Sequence, residues 1–184
     1  MENTNSTESS DSTMDFKSGE LFLSIAKDEY FNELNRNSII DTKANIALPI
    51  IAAYFFLLAQ MIDLHKLLTL ETISMREIVL SLLLITLYVI AIFLSFISFN
   101  FLIKSIQVQD YTIINVDDFY KTEYLVLQVS DFASSICTFY IKATKMNKLI
   151  NDKRTSLYKK SLKFSELSLI SFVVYIFILN ILRG

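Results

Sequence analysis

Three uncharged stretches set the hydrophobic pattern of the chain: residues 44–62, residues 78–103 and residues 167–182, the last extended by Phe164 and Ser165. A helix rises ~1.5 Å per residue and the hydrocarbon core of a bilayer is ~30 Å thick, so ~20 apolar residues cross it. The first stretch fits that length. The second is long enough to tilt or to protrude as helix. The third is adequate at 164–183, and its few polar residues (Ser168, Ser171, Asn180) can bond within or between helices. The pattern predicts an all-α membrane protein with three transmembrane helices at 44–62, 78–103 and 164–183.

The segments between and before the spans differ sharply in character. Residues 1–15 carry four acidic and no basic residues among Ser, Thr and Asn, which predicts a disordered acidic tail. Over residues 16–43, Leu21, Phe22, Ile25, Tyr30, Leu34, Ile39 and Ile40 recur at helical spacing between charged positions. That predicts a cytoplasmic amphipathic helix, broken near Asn35–Asn37 or not, which either gates at the membrane surface or packs on the cytoplasmic part. Residues 63–77 form a short loop, making the first two spans an antiparallel hairpin. Residues 104–163 form a long cytoplasmic helical segment. Val108, Tyr111, Ile113, Ile114 and Val116 within it read either as a short strand or as a packed loop. Asp117 or Asp118 can cap the helix that follows, whose only candidate break is Asn151-Asp152.

Composition narrows the chemistry. With 53% hydrophobic residues, a mean hydropathy of +0.44, two Gly, one Pro and no Trp, few and long helices are expected. One Cys (Cys137) and one His (His65) preclude the usual metal constellations and a thiolate zinc site, and there is no glycine-rich phosphate loop. The expectation is no enzyme, no catalytic residue, no metal and no cofactor.

Charge then fixes an orientation. With the N-terminus inside, 14 of the 17 cations fall on cytoplasmic segments, leaving Lys66, Arg76 and Arg183 outside. The preference of cytoplasmic loops for Lys and Arg puts the N-terminus in the cytoplasm and the C-terminus in the periplasm. Eight of those cations crowd into 22 residues: Lys142, Lys145, Lys148, Lys153, Arg154, Lys159, Lys160 and Lys163. Such a run either anchors to anionic lipid or holds a phosphate-bearing ligand, with Tyr140 or Tyr158 offering a ring to a base. At the mouth of the first span, Asp41 and Lys43 either anchor the interface, pair with neighbouring helices or bind phosphate. Pro49, inside that span, removes a backbone donor and is a candidate gating hinge.

The order of these parts carries a resemblance. Asp41-Thr42-Lys43-Ala44 enters the first span, Leu127-Gln128-Val129 and Ser134-Ser135-Ile136 follow the second, and a basic helix leads into the third. From about Glu33 to its end the chain resembles the Pycsar-type transmembrane effectors of bacterial anti-phage defence, and also the membrane effector of the Hailong system. It departs from that pattern where Tyr140 stands in place of a lysine.

The resemblance implies an inner-membrane effector that forms a homo-oligomeric channel, taken here as a tetramer, and disrupts the membrane on infection. Its control would come from a cyclic mononucleotide or oligonucleotide made by a partner nucleotidyltransferase or cyclase. Expected ligand-binding residues are Lys43, Tyr140, Lys142, Lys145, Lys148, Lys153, Arg154 and Tyr158. Partners are the nucleotide messenger and membrane lipid, with no genomic nucleic acid. The competing expectation is a non-conducting scaffold whose basic helix recruits a partner protein or anionic lipid.

Overall fold

The computed structural model describes residues 12–60, 75–107, 111–115, 117 and 129–183. Those residues form three helices: α1 (Ser12–Gln60), α2 (Met75–Ile106) and α3 (Val129–Arg183). No strand occurs among them, and all three helices are long and apolar enough to cross a membrane. α1 begins at Ser12, inside the stretch expected to be a disordered tail. It then runs without interruption through Asn35–Asn37 and through Pro49. α3 likewise passes unbroken through Asn151-Asp152. Propensity at single positions misleads here because buried residues flank them: Tyr30 and Ile40 on either side of Asn35–Asn37, Ala47 and Ile51 around Pro49, and Asn147 and Arg154 around Asn151-Asp152. The 63–77 loop falls almost wholly outside the described residues, as does the proposed cap at Asp118.

One compact unit comprises the described residues of Ile39–Val108 and Asp152–Gly184. Its helices touch through residues spaced three and four apart, the repeat of a left-handed coiled coil. On α1 these are Ile40, Ala44, Ala47, Ile51, Tyr54 and Leu58; on α2, Leu84, Tyr88, Ala91, Ser95, Ser98, Leu102 and Ser105; on α3, Arg154, Tyr158, Ser161 and Ser168. Contacts fix the directions. Ser98 Oγ donates to the Ser161 carbonyl (2.8 Å), Ser168 Oγ to the Ala91 carbonyl (2.6 Å) and Ser105 Oγ to the Arg154 carbonyl (3.1 Å), so α2 and α3 are antiparallel. Tyr54 meets Ser168 at 3.2 Å and Arg154 pairs with Asp41, so α1 and α3 are parallel.

The interior of this unit mixes small and polar residues with a few large aliphatic ones, while its surface is large and apolar. Ser98, Ser105, Ser161 and Ser168 are fully buried, whereas Ile46, Ile50, Leu82, Phe93, Ile170 and Phe177 are exposed. In water that arrangement is inverted; in lipid it is the expected one. Lipid tails solvate Leu and Phe as well as a core does, and small residues let helix backbones approach and exchange hydrogen bonds. The apolar seam that exists is short: Ala44, Ala47, Ile51 and Leu102, with Leu48, Phe99, Ile106 and Tyr158 against it.

Two serines of this seam should respond oppositely to the same change. Ser168 serves two partners, so Ser168→Ala is expected to cost about 0.6 kcal/mol and at most ~1.7 kcal/mol. The buried Ser95 hydroxyl has no hydrogen-bond partner, so Ser95→Ala is expected to be neutral or mildly stabilising. Chemical unfolding of the two variants in micelles checks this. Ser95→Ala proving the more damaging would refute the assignment.

The other unit comprises the described residues of Met1–Ser38 and Gln109–Asn151. Here residues 111–115 carry no strand and are held as a loop by hydrogen bonds to α1 and α3, with Thr112, Ile113 and Asn115 exposed; Val108 and Val116, the ends of the stretch read as strand or loop, lie outside the described residues.

Candidate ligand face and the polar clusters behind it

The loop 111–115 has no ladder to satisfy its backbone, so side chains do the work. Asn147, fully buried, brackets Thr112: its carbonyl oxygen accepts from the Thr112 amide (3.0 Å) and its amide donates to the Thr112 carbonyl (3.2 Å). Tyr30, also buried, accepts from the Ile114 amide at 3.2 Å and stands 3.5 Å from the Thr112 carbonyl. One turn along α3, Asn151 donates to both the carbonyl and the carboxylate of Glu33 (2.8 Å each) and accepts from the Tyr111 hydroxyl. Asn147 and Asn151 are four residues apart, hence on one face of the helix.

Tyr140 belongs to this cluster, its ring edge-on to Tyr30 with centroids 5.4 Å apart. Lys142, Lys145 and Lys148 are all exposed. Steps of three residues keep them within one side of α3, away from Ala143 and Asn147, which are buried.

In the other unit, Lys43 and Lys153 are exposed. Arg154 is not: only 3% of it is accessible. Its guanidinium pairs with the Asp41 carboxylate, and its Nε donates to the Ser105 carbonyl at 2.8 Å. A single side chain therefore ties α3 to both α1 and α2. Of the sequence alternatives for Asp41, pairing with a neighbouring helix is the one the geometry realises. Tyr158 packs on the Ala44–Ala47–Ile51–Leu102 cluster, and Pro49 is exposed on α1. Of the eight residues expected to hold a ligand, the five lysines lie open to solvent. Arg154 is turned into its helix bundle, Tyr158 is half-buried against that bundle, and Tyr140, in the other unit, is half-buried beside Tyr30.

Sequence reasoning reads Tyr30 as a position of the amphipathic helix, Asn151 as a candidate helix break and Ser98 as lining a polar path or bonding back to its own helix, and passes over Asn147 and Ser161. Their signal was present: along α3, Asn147, Asn151, Arg154, Tyr158 and Ser161 step by four, three, four and three residues. A search for apolar periodicity skips a seam built from Asn, Arg and Ser.

Cys137 is buried, and burial pushes its thiol above the ordinary range by disfavouring the thiolate. The thiolate is the reactive form, so maleimide should label Cys137 slowly at neutral pH in the folded protein and rapidly after denaturation. Equal rates in both states would show that the site is open. Among the described residues no group of three or more His, Cys, Asp or Glu side chains is placed to hold a metal ion. Compared with protein-family models, curated proteins and solved structures, the chain matches none.

Proposed function

We propose that this protein is a membrane effector of bacterial anti-phage defence, forming a homo-oligomeric channel in the inner membrane under the control of a nucleotide. Its N-terminus is cytoplasmic and its C-terminus periplasmic. The observation that carries the reading is the exposed trio Lys142, Lys145 and Lys148 on one side of α3, on the same helix as the apolar run at 164–183. Cations so placed, ahead of a span on one continuous helix, suit a soluble phosphate-bearing ligand whose binding must be felt in the membrane. The layout shared with Pycsar-type and Hailong effectors supplies the biological setting, and a partner nucleotidyltransferase or cyclase supplies the nucleotide. Three helices do not enclose an aqueous path by themselves, so conduction requires several copies around an axis.

Planar-bilayer recordings of the purified protein, with cyclic mononucleotides and with short oligonucleotides, test this directly. A current that either ligand switches on or off is expected. In the variant K142Q/K145Q/K148Q the protein should still insert, and the ligand response should be lost. Silence under every ligand would replace the channel with a non-conducting scaffold. An unchanged response in the variant would move the ligand elsewhere.

A further inference from the structure

The register of the three helices places one group of cations deeper than the rest. In the unit formed by Ile39–Val108 and Asp152–Gly184, Asp41, Ser105 and Arg154 meet at one height. Toward the spans from that height, the first cation on α1 is Lys43, two residues past Asp41; Lys104 on α2 is one residue from Ser105. α3 continues basic for much longer: Lys159, Lys160 and Lys163 lie five, six and nine residues past Arg154. At ~1.5 Å per residue, Lys163 sits roughly 10 Å deeper along the bundle than Lys43.

Contacts around the trio agree with this count. The Lys160 ammonium lies 5.9 Å from the centre of the Phe101 ring, and Phe101 stacks on Phe164 at 5.6 Å. Ser98 meets Ser161, between Lys160 and Lys163. At the height of Lys163, α1 presents the exposed Pro49 and Ile50, and α2 presents the exposed Phe96.

Three exposed ammonium groups therefore share a level with surfaces made for lipid. A polar headgroup layer is ~5–8 Å thick on each side of the hydrocarbon, less than the stagger between Lys43 and Lys163. The uncharged run of α1 begins at Ala44, next to Lys43, whereas that of α3 begins only at Leu167, so Lys159, Lys160 and Lys163 lie level with a stretch of α1 that is already free of charge. Ammonium groups at such a level either snorkel outward along the helix or hold an anion drawn to them. Glu166, one turn further on, is the exposed acid on this part of α3, and Asn100 on α2 is occupied with the Phe96 carbonyl at 2.8 Å.

We propose that Lys159, Lys160 and Lys163 form a sunken phosphate-binding site, distinct from the Lys142–Lys145–Lys148 face and independent of whether that face binds a nucleotide. Its ligand is a phosphate oxyanion. An anionic lipid drawn inward along α3 is one source; a soluble polyphosphate reaching the trio through water is the other.

Full-length protein in micelles, titrated with phosphatidylglycerol in one arm and inorganic tripolyphosphate in another, tests the site. Each lysine near anionic phosphate strengthens binding by several-fold, so K159Q/K160Q/K163Q should weaken it roughly hundred-fold in the arm that carries the true source. K159R/K160R/K163R should keep the affinity; K142Q/K145Q/K148Q should leave phosphatidylglycerol binding unchanged and serves as the background for the tripolyphosphate arm, so that only the deeper trio is read there. Loss in the phosphatidylglycerol arm identifies lipid; loss in the tripolyphosphate arm identifies a soluble ligand. Binding of both probes unaffected by the glutamine variant overturns the proposal. So does equal loss in the arginine variant, because the effect would then not be charge.

Discussion

Asp41→Ala is expected to destabilise the protein by about 2–4 kcal/mol, among the largest effects of any single substitution in the chain. Breaking a buried ion pair by removing one partner leaves the other charge where water cannot reach it. The asymmetry lies in exposure: the Arg154 side chain is 4% accessible and that of Asp41 is 44%. Removing Asp41 strips a carboxylate from a guanidinium enclosed between helices. Removing Arg154 leaves a carboxylate that water can still solvate, though the Ser105 carbonyl loses its donor.

The double variant Asp41→Leu/Arg154→Met is expected to recover much of the loss, since replacing both members of a buried pair by apolar residues is often near neutral. Arg154→Lys does not rescue, because one ammonium on a flexible stem does not reproduce a planar fork reaching two helices. Equilibrium unfolding in a detergent-denaturant series measures all four proteins. If Asp41→Ala and the double variant prove equally unstable, the pair is not what holds α3 to α1.

The second large effect lies in the other unit. Asn147→Ala/Asn151→Ala is expected to release the loop at residues 111–115, at a cost of about 1–3 kcal/mol for the partly buried backbone and carboxylate partners left behind. Hydrogen exchange gives the sharper readout, because each amide has its own acceptor. In the parent protein the Thr112 and Ile114 amides should exchange slowly, held by Asn147 and Tyr30 respectively. Tyr30→Phe should free Ile114 while leaving Thr112 protected, and Asn147→Ala should do the reverse. Both amides freed by either change would show that the loop is held as a block rather than bond by bond.

The spans were readable in the chain because the constraint behind them is one-dimensional. A predominantly apolar run either reaches across ~30 Å of hydrocarbon or it does not, and 44–62, 78–103 and 164–183 are each long enough to do so. The absence of Gly and Pro between Phe119 and Phe164 likewise announced a long helix, and the described part of it, from Val129 onward, is unbroken. The lysines were legible as solvent-facing for the same reason: a cation far from a partner belongs in water.

Pairing was not legible. Nothing local distinguishes Arg154 from Lys153 beside it, yet one is buried and the other exposed. Helical phase and the presence of Asp41 and Ser105 on neighbouring helices make that difference, and both require the three helices in their places. Asn151 next to Asp152 resembles a helix break, because Asn competes for backbone hydrogen bonds when nothing else engages it. Glu33 and Tyr111 engage it here, and the helix continues. A hydrophobic pattern shows where lipid will be. Which polar side chains face inward depends on partners 40 to more than 110 residues away in the chain, and the folded structure alone brings them together.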